Sequence, residues 1–255
     1  MSKITDAFKN KKSFVGFLTA GDPSLDKTEE FIMTMEQSGA SVIEIGVPFS
    51  DPIAEGPVVQ EANVRALSAP GGCTTDMIFD MLERVKDKVS VPIVLMTYLN
   101  PVFKYGYDAF MSRCAQTGVS GIIIPDMPYD EKEEILPIAD KHGIEIISLV
   151  APASKSRIRM IAGEAKGYIY VLPSLNATDA RNDIVTDISG IVSEIRQVTD
   201  TPVILEIGVN YPEAEYETIA DGFVVENAIV NIIAKYGNDA APHIAEYVKK
   251  TVESL

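Results

Sequence analysis

Short apolar runs alternate along the chain with longer segments in which apolar residues recur every three or four positions. The runs Ser13–Leu18, Ser41–Ile45, Pro92–Met96, Gly121–Ile124, Ile144–Leu149, Tyr168–Leu172, Pro202–Glu206 and Gly222–Val225 predict eight strands. Most are apolar almost throughout, as strands of a parallel sheet are when both faces are covered. Between them, Met77, Ile78, Met81, Leu82 and Val85 form one helical stripe, and Ile188, Ile191, Val192, Ile195 and Val198 form another. Ile244, Tyr247, Val248 and Leu255 mark a C-terminal helix. Gln116-Thr117-Gly118 and Lys141-His142-Gly143 are glycine stops between a helix and the next strand.

Eight such units in 255 residues, without a Ser/Gly/Pro-rich linker or low-complexity tract, predict one (β/α)8 barrel domain over residues 1–255, with additional N- and C-terminal helices. The competing architecture, an open doubly wound sheet, usually carries a G-x-G-x-x-G first turn, and none occurs.

Composition narrows the function. Asp and Glu number 37 against 22 Lys and Arg, a formal charge of −15, which disfavours nucleic acid and anionic lipid as partners. No apolar run is long enough for a membrane span, and the opening MSKITDAFKNKK lacks a signal-peptide core, so a cytoplasmic protein is expected. Cys73 and Cys114 are too few for a disulfide framework, and His142 and His243 supply histidine metal chemistry poorly. His142 reads as a surface residue at a helix end, His243 as solvated, the two cysteines as unreactive, and the methionines as core filling. Glu213–Glu217 reads as a charged helix face.

In a barrel of this kind the chemistry sits at the carboxyl ends of the strands. Glu44 stands out there, because its strand otherwise reads Val42, Ile43 and Ile45. One reading is a buried carboxyl that exchanges protons near neutral pH. The other is a solvated rim residue or the partner of a structural arginine. Asp51 and Glu55 follow on the next loop and can bring a second carboxylate over the same mouth, and two carboxyls in different surroundings can divide acid and base roles.

Four segments together carry a resemblance. They are Phe14-Val15-Gly16-Phe17-Leu18-Thr19-Ala20-Gly21-Asp22-Pro23, the stretch from Glu44 to Pro57, Tyr98-Leu99-Asn100-Pro101, and Pro125-Asp126-Met127-Pro128. In order and nearly end to end, the chain resembles the alpha chains of tryptophan synthase. The resemblance implies a (β/α)8 barrel and a lyase of tryptophan biosynthesis that cleaves indole-3-glycerol phosphate to indole and glyceraldehyde 3-phosphate. It implies no cofactor in this chain, since the family's pyridoxal phosphate belongs to a separate beta chain that receives the indole.

Residue by residue, the resemblance makes Glu44 the catalytic glutamate, acting at the substrate's hydroxyl and C3 carbon. Glu55 stands where the family usually has an aspartate at the indole nitrogen. Phe17, Tyr98 and Tyr170 fall at substrate-binding positions, as do Thr178, Gly208 and Asn227 toward the phosphate. Pro48, Asp51, Asn100 and Pro101 match surfaces that meet the beta chain.

The match breaks at the phosphate end. Asn176 and Asp179 flank Thr178 where the family has glycines, Glu206 begins the segment usually reading G-F-G, and Glu226-Asn227 replaces G-S. Gly16 also replaces a usual proline. Glycine lets backbone approach an anion closely, and one like-charge contact at ~4 Å costs about 4 kcal/mol at an effective dielectric of 20. Carboxylates pointing to solvent, or paired with nearby Lys and Arg, would leave the lyase intact. The alternative is a diverged or engineered barrel that has lost phosphate binding and serves as a non-catalytic beta-chain partner, or binds another, non-anionic ligand. A calcium or magnesium ion held by oxygen ligands is one version of that alternative.

Overall fold

The computed structural model describes residues 2–9, 11–154, 157–172, 188–206 and 218–255. Among the described residues nine strands are arranged in one all-parallel sheet: β1 Ser13–Thr19, β2 Val42–Gly46, β3 Ile93–Met96, β4 Val119–Ile123, β5 Glu145–Ile146, β6 Ser148–Val150, β7 Ile169–Val171, β8 Val203–Glu206 and β9 Gly222–Val225. Their order, β5-β4-β3-β2-β1-β9-β8-β7-β6, begins and ends on the two halves of one segment. Ile147 alone separates β5 from β6, and its N–H donates to the Ile122 carbonyl at 2.9 Å. β5 pairs with β4 and β6 pairs with β7, so the segment passes from one edge to the other and joins them. The expected eighth-part of the barrel at Ile144–Leu149 is therefore two short strands with a break between them. The remaining predicted strands fall within about two residues of the observed ones.

Alternation along the strands sorts side chains into an interior cluster and two outer clusters, one of them built on Val150, Ile169, Val171, Val203, Leu205 and Phe223. Val15, Phe17, Val42, Val94, Met96, Ile123, Ile147, Tyr168, Tyr170, Ile204 and Val224 point inward, joined from below by Ile4 and Phe8 of the N-terminal segment. Their neighbours, such as Phe14, Leu18, Ile43, Ile45 and Leu95, point outward onto the helices. Register sets the inward residues in tiers, with Phe17 beside Glu44 and Glu44 beside Val94.

The helices start and stop on local signals. Ser24 and Thr74 cap Leu25–Gln37 and Thr75–Val85 by accepting the N–H of Lys27 and Met77, each at 3.3 Å. Gly143 closes Leu136–His142 in the left-handed conformation at φ 72°. The Thr75–Val85 stripe buries Phe79 as well as Ile78, Met81, Leu82 and Val85, while Met77 is only half-buried. Val198 lies past the end of Ile188–Arg196 and is exposed, so the second stripe ends at Ile195. Most described methionines do fill the core, but Met160 is exposed.

Barrel closure leaves little room where β9 meets β1. A Cβ on Gly222 would lie 2.5 Å from the Ser13 carbonyl oxygen and 3.0 Å from the Phe8 ring, whereas one on Gly163 meets nothing within 4 Å. Gly222→Ala should lower unfolding free energy by about 2 kcal/mol through overpacking. Gly163→Ala should raise it by about 0.5 kcal/mol by reducing the freedom of the unfolded chain. Urea midpoints would show the contrast; two equal midpoints would contradict the close approach of β9 to β1.

Candidate active site

Glu44 is fully buried, and the residue opposite it is neither solvent nor an arginine. The alternation of β2 sends Val42 and Glu44 to the barrel interior, where the Tyr168 hydroxyl donates to Glu44 Oε1. Among the described residues Glu44 Oε2 has no hydrogen-bond partner. Burial pushes the carboxyl up to about 7, opposed by the Tyr168 hydrogen bond and reinforced by the charge of Glu206. Of the two readings open from sequence, the structure shows the buried carboxyl, neither a solvated rim residue nor the partner of an arginine. Tyr168, which holds it, was not singled out as a site residue. Its polar end follows an ordinary apolar strand pattern, and only the inward turn of β7 gives that hydroxyl a role.

Glu55 stands on the loop that follows β2 and is likewise pushed up to about 7, by burial first, against hydrogen bonds from Asn63 and Tyr98. Asn63 Nδ2 donates to Glu55 Oε2 at 3.1 Å from the buried side of the helix Pro57–Ser68. The same helix is tied to the loop after β1 by Arg65, which donates to both Asp22 carboxylate oxygens at 2.9 and 2.8 Å. Tyr98 is almost wholly buried; its hydroxyl accepts the Ala54 N–H at 3.0 Å, and its ring stacks on Phe49 at 5.1 Å. Asn63 is a second residue missed from sequence, because an asparagine within a helix carries no signal of its own. Asp51, the other candidate on this loop, is exposed and accepts a hydrogen bond from Ser50 Oγ at 2.5 Å.

Phe17 packs inside the barrel one strand away from Glu44. Glu206 ends β8, and burial raises its carboxyl. Glu226, just past β9, is nine-tenths buried and accepts from the Tyr170 hydroxyl at 3.1 Å. Burial raises Glu226 well above the usual carboxyl range, with the charges of Glu206 and Glu44 adding to it and the Tyr170 bond opposing. Glu226 also feels Glu55, so four carboxyl groups from three parts of the chain share one electrostatic environment. The expectation that the new carboxylates point to solvent fails for Glu226. Asn227 is half-buried and opens the helix Asn227–Tyr236, which has no side-chain cap. Asn176, Thr178, Asp179, Gly208 and the Glu213–Glu217 stretch lie outside the described residues.

Among residues matched to a docking surface, Asp51 and Asn100 are exposed, Pro101 is half-buried and Pro48 is buried. Ile53 and Phe103, beside them in sequence, are 72% and 67% exposed, large for apolar side chains. His142 is less open than expected and pairs with Asp108 at 3.0 Å, and His243 stacks on Tyr236 at 3.6 Å. Cys73 and Cys114 are buried, and burial pushes the Cys73 thiol up to about 11, away from thiolate reactivity. Among the described residues no group of three or more His, Cys, Asp or Glu could hold a metal ion, and no helix is long and apolar enough to cross a membrane.

A closed parallel barrel with buried carboxyl groups, pushed up to about 7, in its interior and on the loop after β2 places the chain in the (β/α)8 class. The family model for the tryptophan synthase alpha chain matches residues 4–254. The chain is 43% identical to the tryptophan synthase alpha chain of Lacticaseibacillus casei, over 98% of this chain and 94% of that one. It is 38% identical to that of Lactiplantibacillus plantarum, over 100% of this chain and 97% of that one. The structure of the alpha subunit from Legionella pneumophila str. Paris superposes with a TM-score of 0.86 at 29% identity, covering 100% of both chains. The chain belongs to the tryptophan synthase alpha chain family, carbon–carbon lyases that cleave indole-3-glycerol phosphate in tryptophan biosynthesis. These similarities support the lyase and lend nothing to the alternative of a non-catalytic barrel.

The folded protein holds the Glu44 proton more tightly than the unfolded chain, whose glutamates sit near 4.5. That contribution to stability is complete below about pH 4.5 and is lost as pH rises through about 7. Glu44→Gln carries no such proton. Relative to the parent it should gain roughly 3 kcal/mol between about pH 4 and about pH 8. Urea unfolding across that range measures the difference; one that stays constant with pH would contradict a buried, proton-holding Glu44.

Proposed function

We propose that this chain cleaves indole-3-glycerol phosphate to indole and glyceraldehyde 3-phosphate with Glu44 and Glu55 as its proton-transferring groups. The observation that carries the assignment is Glu44: fully buried, held by Tyr168 through one oxygen and with the other oxygen, among the described residues, unpartnered. An unpartnered buried carboxyl oxygen is costly unless a ligand completes it.

The reaction needs only proton transfers. Glu44, protonated near neutral pH, delivers its proton to C3 of the indole ring while Glu55 takes up the N–H proton. Glu44, now ionised, removes the proton of the side-chain hydroxyl next to C3. The bond between C3 and the hydroxyl-bearing carbon then breaks, the aldehyde forms, and the bonding pair returns to the ring. Glu55 gives the proton back to nitrogen, and indole is released. Each carboxyl ends in the state in which it began, and no cofactor of this chain enters the scheme.

Phe17, Tyr98 and Tyr170 are assigned to the walls around the indole, with Thr178, Gly208 and Asn227 toward the phosphate. The extra methylene of Glu55 compared with the family's usual aspartate is taken up by Asn63 and Tyr98, which hold its carboxyl. Docking of a pyridoxal-phosphate-bearing beta chain, which receives the indole, is assigned to Asp51, Asn100 and Pro101; Pro48, matched to the same surface, is buried. The exposed Ile53 and Phe103 support that assignment.

Glu44→Gln should reduce indole release at least about 100-fold, the usual contribution of a positioned general acid–base group. Glu55→Asp, which restores the shorter carboxylate, should keep activity within about tenfold of the parent, whereas Glu55→Ala should behave like Glu44→Gln. The parent's kcat/KM should peak near pH 7, because Glu44 must start protonated and Glu55 ionised. Steady-state assay of indole formation tests all three, and wild-type rates from Glu44→Gln would remove the assignment.

A further inference from the structure

The proton transfers above assign nothing to the N-terminal segment, although it reaches the barrel interior from below. Ile4 and Phe8 are buried there, and Ser2 caps the helical turn Lys3–Asp6 while its hydroxyl donates to Glu145 Oε2 at 3.1 Å. Two further contacts from this segment meet at consecutive residues, Gly167 and Tyr168. Thr5 Oγ1 donates to the Gly167 carbonyl at 3.2 Å. The Phe8 ring lies against the Tyr168 ring, with centroids 5.6 Å apart and planes inclined by 55°. A Cβ on Gly167 would lie 3.1 Å from Ile4, and one on Gly222 would lie 3.0 Å from Phe8, so the segment is packed flush against the starts of β7 and β9.

Tyr168 is the residue that holds Glu44. Its hydroxyl donates to Glu44 Oε1, and among the described residues Oε2 has no partner, so the aim of the carboxyl rests on this hydrogen bond. The other groups that face Glu44 are Tyr170 from β7, Glu206 from β8 and Glu226 just past β9, and none is a cation that could orient it instead. Rotation of a tyrosine ring about χ2 leaves the hydroxyl oxygen on its axis, so only χ1 and the backbone can move it. Thr5 grips the backbone beside Tyr168, and Phe8 blocks the sideways swing of its ring.

We infer that Thr5 and Phe8 are positioning residues of the lyase: they fix the backbone and the ring of Tyr168, and through it they aim the Glu44 carboxyl at the substrate. The inference rests on Glu44 acting as proposed above. A plug that only closed the bottom of the barrel would contribute stability and leave the chemistry untouched.

The test is a double-variant cycle on the full-length protein, read by steady-state indole formation across pH. Phe8→Leu keeps an apolar side chain and removes the ring. It should lower kcat about tenfold with KM within about twofold of the parent, because a misaimed carboxyl slows the chemical step and leaves binding alone. The alkaline limb of its kcat/KM profile should move up by about half a pH unit, since Glu44 loses a hydrogen bond that favours its ionised form. Tyr168→Phe should show the same two changes, and the double variant Phe8→Leu/Tyr168→Phe should match Tyr168→Phe alone within about twofold. Thr5→Val, nearly isosteric, should move kcat and the limb in the same direction, and it carries the test if Phe8→Leu does not fold. Ile4→Val removes only the Cδ1 methyl, which faces Gly121 of β4, and keeps the Cγ2 that faces Gly167. It should lower the urea midpoint and leave kcat and the limb at parental values. Effects of Phe8→Leu and Tyr168→Phe that multiply in the double variant would overturn the inference. So would a folded Phe8→Leu or Thr5→Val protein with parental kcat and limb, or an Ile4→Val protein that loses kcat as Phe8→Leu does. Failure of the lyase reading shows separately, as parental rates from Glu44→Gln or no indole released by the parent protein.

Discussion

A parallel sheet with two free edges would leave water access to its strand ends, and a carboxyl such as Glu44 would simply ionise. In this protein the edges meet, because one segment pairs with β4 through Glu145–Ile146 and with β7 through Ser148–Val150. Ile147 between them keeps a backbone hydrogen bond to Ile122 and fills the interior with its side chain. The interior is consequently packed by aromatic and branched side chains, and a carboxyl placed in it meets a dry environment. Desolvation then becomes the largest influence on Glu44, Glu55, Glu206 and Glu226 alike.

What differs among these carboxyls is how each is compensated. Glu44 has one tyrosine hydroxyl and one bare oxygen; Glu55 has an amide from Asn63; Glu226 has the other tyrosine of β7. Period two along β7 puts Tyr168 and Tyr170 on the same face, so a single strand serves two carboxyls on strands of opposite sides of the sequence. Among the described residues, Glu44 is the carboxyl whose second, buried oxygen has no hydrogen-bond partner. Glu226 and Glu206 have no proton transfer assigned, and their place beside an uncapped helix start gives the site a different electrostatic character from one lined by glycine.

Much of the fold was legible before any coordinates. Apolar runs such as Ile93–Met96 and Val203–Leu205 read as strands covered on both faces, and the Gly118 and Gly143 stops separate helices from the strands that follow them. The split of the fifth strand was not legible, because Ile144 to Leu149 reads locally as a single strand and only its two different pairing partners divide it. Val198 was misassigned to a helical stripe for a similar reason: periodicity continued in the residues after the helix had ended at Arg196. At the site, Glu44 declared itself as a charge among β-branched neighbours, and Glu55 by its loop. Tyr168 and Asn63 did not, since a tyrosine in a strand and an asparagine in a helix are ordinary until something is placed opposite them.

The order and type of the elements, the barrel and the residue classes at the strand ends were determined by sequence alone, because periodicity and composition are local properties of a chain. The excess of acidic residues was also plain from sequence, but only as a sum. Which carboxyls are dry, which tyrosine reaches which oxygen, and that Glu226 turns inward, away from solvent, were decided by tertiary structure. Burial and charge coupling depend on what the rest of the chain brings within a few ångströms, and residues 44, 168, 206 and 226 become neighbours only when the barrel closes.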